Sequence, residues 1–128
     1  MNRTIMVTAA VFGVLAVVFG AFGAHSLKEL IGDNALETFE TGVTYQMYHA
    51  LLLLLLGTMT QIPQKSKKWI FYFIVAGIFL FSFSIYFLAT NSLTSFDFRT
   101  IGFITPIGGL FLITGWLLLA YRIIKIQG

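Results

Sequence analysis

The sequence predicts an all-α integral membrane protein: a four-helix bundle with a short amphipathic interfacial helix between its first and second spans. Three observations carry this reading. Hydrophobic residues make up 58% of the 128-residue chain and charged residues 10%, which leaves too little polar side chain to cover a water-soluble core. Four stretches, each at least as long as the about 20 residues a helix needs to cross hydrocarbon, contain no Asp, Glu, Lys or Arg. The charges between those stretches sort by sign. The chain therefore reads as a single membrane domain, residues 1–128, with spans at 4–25, 44–62, 69–90 and 100–121.

If every stretch spans, Arg3, Lys65, Lys67, Lys68, Arg122 and Lys125 lie on one side, and Lys28 and Arg99 lie on the other with all five acids, Glu29, Asp33, Glu37, Glu40 and Asp97. This excess of basic residues on one side is the positive-inside pattern and places both termini in the cytoplasm. The net charge of +3 is thereby explained by orientation, and no nucleic-acid partner is expected. The absence of cysteine excludes disulfides and thiolate metal sites. Arg3, the apolar run after it and the small residues 21–24 also resemble a signal peptide. The run is longer than the usual ~7–15 residues and leads into more membrane sequence, so the first span is expected to stay.

Within span one, Ala9, Gly13, Ala16, Gly20, Gly23 and Ala24 fall in a sector about 100° wide. Small residues let membrane helices approach closely, so Gly13, Ala16, Gly20 and Gly23, with Gly109 in span four, are the expected packing positions. A dinucleotide-binding role would need a preceding strand, and none is present. After span one, Ser26 with Glu29 and Asn34 with Glu37 have capping-box spacing. Leu36, Phe39 and Val43 then share one helical face with Glu37 and Glu40 turned away, which predicts the amphipathic helix at the outer interface. The connection at 62–68, with Pro63 and three lysines, reads as a tight basic turn. Pro106 either begins span four or kinks it. In the first case Thr105 is the N-cap and Gly108 and Gly109 offer free amides to an anion; the second is the reading membrane helices accommodate more readily.

Polar residues inside spans are the default functional candidates, because each needs a partner away from water. His25, Tyr45, Gln46, His49, Ser82, Tyr86 and Thr105 are the candidates here, and the predicted topology puts them in the outer half of the membrane as one polar cluster or shallow cavity. His49 can donate with one ring nitrogen and accept with the other, so tying two helices together is its simplest role, ahead of proton handling or ligand binding. Haem held between His25 and His49 is disfavoured, since nothing else marks a haem pocket. Zinc is disfavoured because no carboxylate lies inside a span. No catalytic constellation is visible, so no enzymatic activity is expected.

Taken together, Gly20-Ala-Phe-Gly-Ala-His25, Thr41-Gly-Val-Thr-Tyr-Gln-Met-Tyr-His49, Phe81-Ser-Phe-Ser-Ile-Tyr86, Thr105-Pro-Ile-Gly-Gly109 and Gly115-Trp116 resemble the YgdD/YwdK-like small inner-membrane proteins. That family is known as domain of unknown function 423, with a eukaryotic branch called transmembrane protein 256. The resemblance covers nearly the whole chain. It implies a four-span protein of the bacterial cytoplasmic membrane and supplies no reaction, substrate or cofactor. Phe83 departs from the pattern, which has a small residue between the two serines. The function expected is that of a non-enzymatic accessory or structural membrane protein. Its partners would be the lipid bilayer, a lipid headgroup or another membrane protein, or a second copy in a homo-oligomer. The alternative is a small transporter, channel subunit or lipid- or ligand-binding protein.

Overall fold

Apolar runs that cannot hydrogen-bond to water must satisfy their own backbone, and helices do so within one segment. In the computed structural model, which describes residues 1–126, the long elements are all helices: α1 (Asn2–His25), α2 (Asp33–Thr58), α3 (Gln64–Ile78), α4 (Ser84–Ala89) and α5 (Ile104–Ile124). A π turn, Phe79–Phe83, carries α3 into α4, so the two form one rod. Three rods are long and apolar enough to cross a membrane: Asn2–Glu29, Gln64–Ala89 and Phe98–Ile124. Helix α2 is of similar length but is more polar, because Tyr45, Gln46, Tyr48 and His49 precede its run of leucines.

Helices α1 and α2 pair antiparallel, with Gly57 against Met6 at one end and Gly23 against Phe39 at the other. Helices α3 and α5 pair in the same way, with Gly115 on Ile74 and Gly108 on Leu80 and Phe81. One core runs through all of these helices, including Ile5, Phe12, Leu53, Ile74, Ile78 and Leu112. Val14, Val17, Leu55, Leu110, Leu117 and Ile124 point outward and are more than half exposed. This apolar exterior is what a lipid-facing surface requires, since lipid is as apolar as the core. The start of α1, the end of α5 and the 59–63 connection share one end, here called the basic end. There Lys67 is fully buried and donates from Nζ to Asn2 Oδ1 at 3.0 Å, and Gln64 Nε2 donates to the same oxygen at 3.0 Å. Together they pin the start of α3 to the start of α1.

The opposite, acidic end differs from the expectation. The segment read as an interfacial helix is the first three turns of α2, because nothing between Asn34 and Tyr45 breaks the helix. Leu36, Phe39 and Val43 turn inward and form a second core with Leu27, Ile31 and Ala89. Neither capping box forms: Ser26 closes α1, and α2 starts behind Gly32 with no side-chain cap. In the 90–103 connection, Arg99 bonds Asp97 at 3.0 Å and its side chain and backbone amide hold that carboxyl below the usual range.

Pro106 is the third residue of α5, inside the first turn, where a missing N–H costs nothing. It therefore neither kinks the helix nor starts it, and Thr105 is not the cap. The expected packing positions also change. Ala16 is buried, Gly23 meets Phe39 and Gly20 touches Val43, but Gly13 faces open space and Gly109 only grazes Phe81. The tightest approaches are at Gly42, Gly57, Gly77, Gly108 and Gly115. At Gly108 the opposing atoms are backbone, so no side chain can move aside.

Gly108→Ala is accordingly expected to destabilise the protein by about 1–3 kcal/mol, the range for overpacking a tight contact. Gly13→Ala should be neutral or slightly stabilising, as expected where an alanine replaces an unhindered helical glycine. Unfolding of both variants in mixed micelles, followed by circular dichroism, checks the contrast; equal stabilities would sink it.

Candidate functional site

Helix α2 presents Phe39, Gly42, Gln46, His49, Ala50 and Leu53 inward at three- and four-residue spacing. This seam brings its polar residues against all the other rods. Gln46 is fully buried: Nε2 donates to the Phe12 carbonyl of α1 at 2.8 Å, and Oε1 accepts from the Tyr86 hydroxyl of α4 at 2.7 Å. One amide thus joins three helices. Next to it, the Ser82 hydroxyl of the π turn donates to the Gly42 carbonyl at 2.8 Å. The Phe83 ring covers this junction, packing edge-on against Phe12, Phe19 and Phe79 and tilted against Tyr86. The bulky side chain between the two serines thus fills space beside α1.

Two further contacts lie apart from that junction. Ser84 donates to the Leu80 carbonyl at 2.6 Å and pairs with the Thr105 hydroxyl of α5 at 2.6 Å. His49 Nδ1 lies 2.6 Å from the Tyr45 carbonyl, and Nε2 lies 3.1 Å from the Trp116 indole nitrogen. A carbonyl only accepts and an indole N–H only donates, so the ring is the neutral Nδ1–H tautomer. Both nitrogens are then occupied, which leaves no lone pair for iron while the Trp116 bond holds. His25 is exposed at the end of α1 and joins none of these contacts. Tyr45 contributes its carbonyl, while its ring rests on Phe81.

The candidates therefore meet as three separate clasps along α2 and α4. They also extend deeper than the outer half. Gln46 is bonded to Phe12, midway along α1, and His49 reaches Trp116, past the midpoint of α5. Among the described residues, no buried side-chain nitrogen or oxygen lacks a hydrogen-bond partner, and no group of three His, Cys, Asp or Glu could hold a metal. Gly108 and Gly109 offer no anion site, since Gly108 is buried against the π turn. Trp116 and the Phe12 carbonyl were not singled out from sequence as partners. The indole could have been, because a Trp N–H in an apolar setting calls for an acceptor. The carbonyl carries no sequence signal.

Membrane hydrogen bonds average about 0.6 kcal/mol each, so Gln46→Leu, which breaks two, is expected to cost about 1–2 kcal/mol. In a double-mutant cycle with Tyr86→Phe the two losses should be less than additive, measured by unfolding in mixed micelles; full additivity would mean that the pair does not interact. Nitrogen NMR of the histidine rings should show Nδ1–H for His49, and Trp116→Phe should shift the Nε2 resonance while the Tyr45 carbonyl keeps the proton on Nδ1.

The model of the family described as "Protein of unknown function (DUF423)" matches residues 19–109. The chain is 37% identical over 126 residues to a UPF0382 membrane protein of Staphylococcus aureus and to another of Staphylococcus epidermidis, covering 98% of this chain and 99% of each relative. It is 38% identical over 124 residues to a UPF0382 membrane protein of Staphylococcus saprophyticus, covering 97% and 99% of the two chains. No solved structure matches significantly. With its helices long and apolar enough to span and its relatives named as membrane proteins, the chain belongs to the DUF423 family of membrane proteins.

Proposed function

We propose that the protein is a four-span, non-enzymatic accessory or structural protein of the bacterial cytoplasmic membrane, with both termini in the cytoplasm. The observation that carries this reading is that the buried polar side chains spend their hydrogen bonds on each other and on backbone. A transport path needs polar groups that a passing solute can reach, and a reaction needs a group with unspent capacity. Gln46, Tyr86, Ser84 and Thr105 instead hold helices together. Helix α2 completes the bundle as a fourth span because it pairs with α1 along its length and carries Gln46 and His49 inward, away from lipid. The basic end, with six of the eight Lys and Arg residues, faces the cytoplasm by the positive-inside rule.

The chain has no cysteine, so single-cysteine variants report topology directly. Ser95→Cys is expected to react with a membrane-impermeant maleimide in intact cells, and Lys65→Cys only after the membrane is opened. The reverse pattern would invert the orientation, and labelling of both in intact cells would remove the four-span arrangement. In proteoliposomes the protein should pass no more proton or potassium current than empty vesicles. A flux that Gln46→Leu abolishes would replace the accessory reading with transport through the α2 seam.

A further inference from the structure

At the basic end, the starting turns of α3 and the final turns of α5 leave a groove between them. One chamber, about 350 Å³, is lined by Trp69, Ile70, Phe73 and Leu118 together with Lys65 and Arg122. Arg122 also borders a second hollow, of about 370 Å³, beside Lys125. In the other direction, Trp69 and Phe73 pass the groove on to an apolar hollow of about 190 Å³ against Ala76 and Phe111. Neighbouring hollows share Arg122 on one side and Trp69 and Phe73 on the other, a track of lining residues that is cationic at one end and apolar at the other. From Lys65 to Ala76 it follows eleven residues of helix, about 16 Å at 1.5 Å per residue. That is close to half of a hydrocarbon core about 30 Å thick.

We propose that this track binds an anionic phospholipid, with its phosphate among Lys65, Arg122 and Lys125 and one acyl chain lying along Trp69, Phe73 and Ala76. Charge and shape select this occupant together. The five acidic side chains of the protein all lie in the segments of the opposite end, and among the described residues the only ion pair is Arg99 with Asp97. No side-chain carboxylate neutralises the three cations. Arg122 and Lys125 are further gathered over the Tyr121 ring, each 5.5 Å from its centre. A free phosphate would use the cations and leave the apolar chamber unfilled. A lipid without net charge would fill the chamber and, with its own ammonium beside its phosphate, bring the three cations no net counter-charge. Only an amphiphile with an anionic head uses both, and basic pockets between membrane helices recognise such headgroups by this arrangement. The inference rests on the chain being embedded in a bilayer and is independent of the accessory role and of its orientation.

The test uses the full chain purified in a neutral detergent, with phosphatidylglycerol, phosphatidylcholine and glycerol phosphate as probes, read by native mass spectrometry and by melting temperature. Phosphatidylglycerol is expected to remain bound and raise the melting temperature, while phosphatidylcholine and glycerol phosphate do neither. Lys65→Ala with Arg122→Ala should weaken phosphatidylglycerol binding about tenfold or more. Lys28→Ala with Arg99→Ala, which removes as much charge from the other end, should leave it unchanged. Ala76→Phe keeps every cation and blocks the track, so it should weaken binding as well; Trp69→Ala serves if that variant does not fold. Equal effects of the two lipids, a full response to glycerol phosphate, equal losses from the two charge-removing pairs, or undiminished binding with the track blocked would each overturn the proposal.

Discussion

The arrangement depends on how closely the backbone of α5 approaches the rod formed by α3 and α4. Inside a membrane the hydrophobic effect does not push helices together, so association rests on close packing and on hydrogen bonds. Here Gly108 lies directly on the Leu80–Phe81 peptide, within the π turn. A π turn leaves part of the backbone without its regular helical partner. The Ser84 hydroxyl answers this by bonding the Leu80 carbonyl while it pairs with Thr105 of α5. The irregular turn, the glycine above it and the serine–threonine pair form one unit, in which each part gives the others their reason. Ser82 bonds α2 and Ser84 bonds α5 because residues two apart point to opposite sides of a helix.

That unit explains why the polar residues of the spans do not gather into one cavity. With α5 held against α4, the hydroxyls there are consumed locally, and Gln46 turns to Phe12 and Tyr86 on the other side of α2. His49 lies one turn further along and meets Trp116. Each clasp joins a different set of helices, and together they specify which faces meet. Apolar packing alone would allow neighbouring registers of similar energy; a buried amide left without its partner would not.

The helical class, three of the spans and the sorting of charge were legible in the sequence because they are sums over many residues. Hydropathy over residues 4–25 or 100–121 hardly changes if one contact is misjudged. What was not legible depends on single contacts. Leu36, Phe39 and Val43 were correctly placed on one helical face, but periodicity does not say whether such a face meets lipid headgroups or protein. Leu27 and Ile31 decided that by burying themselves beneath it. Gly13 and Gly108 are the same residue type in similar apolar surroundings, yet one faces open space and the other a backbone. The acceptor for Gln46 is a main-chain carbonyl, which every residue possesses and no motif announces. Family membership was legible because its motifs span several elements in order, and it brought no chemistry with it.

The two ends of the molecule solve opposite problems. At the acidic end the connection between α1 and α2 folds inward, and Leu27 and Ile31 close the bundle against Phe39 and Ala89. The space between the helices there is filled by the chain itself. At the basic end Lys67 and Gln64 secure α3 to Asn2 of α1, but among the described residues no side-chain hydrogen bond bridges α3 to α5 there, and the last turns of α5 border the groove. Burying Lys67 at the start of α3 adds a charge where the helix dipole is already positive, and its one side-chain partner is a neutral amide oxygen. The field at this end is therefore positive from within as well as from the exposed Lys65, Lys68 and Lys125. A protein whose polar core is internally satisfied thus keeps most of its cations unpaired at one end, beside the groove its helices leave open. The most open interaction chemistry of this fold lies at that basic end, away from the buried histidine and glutamine.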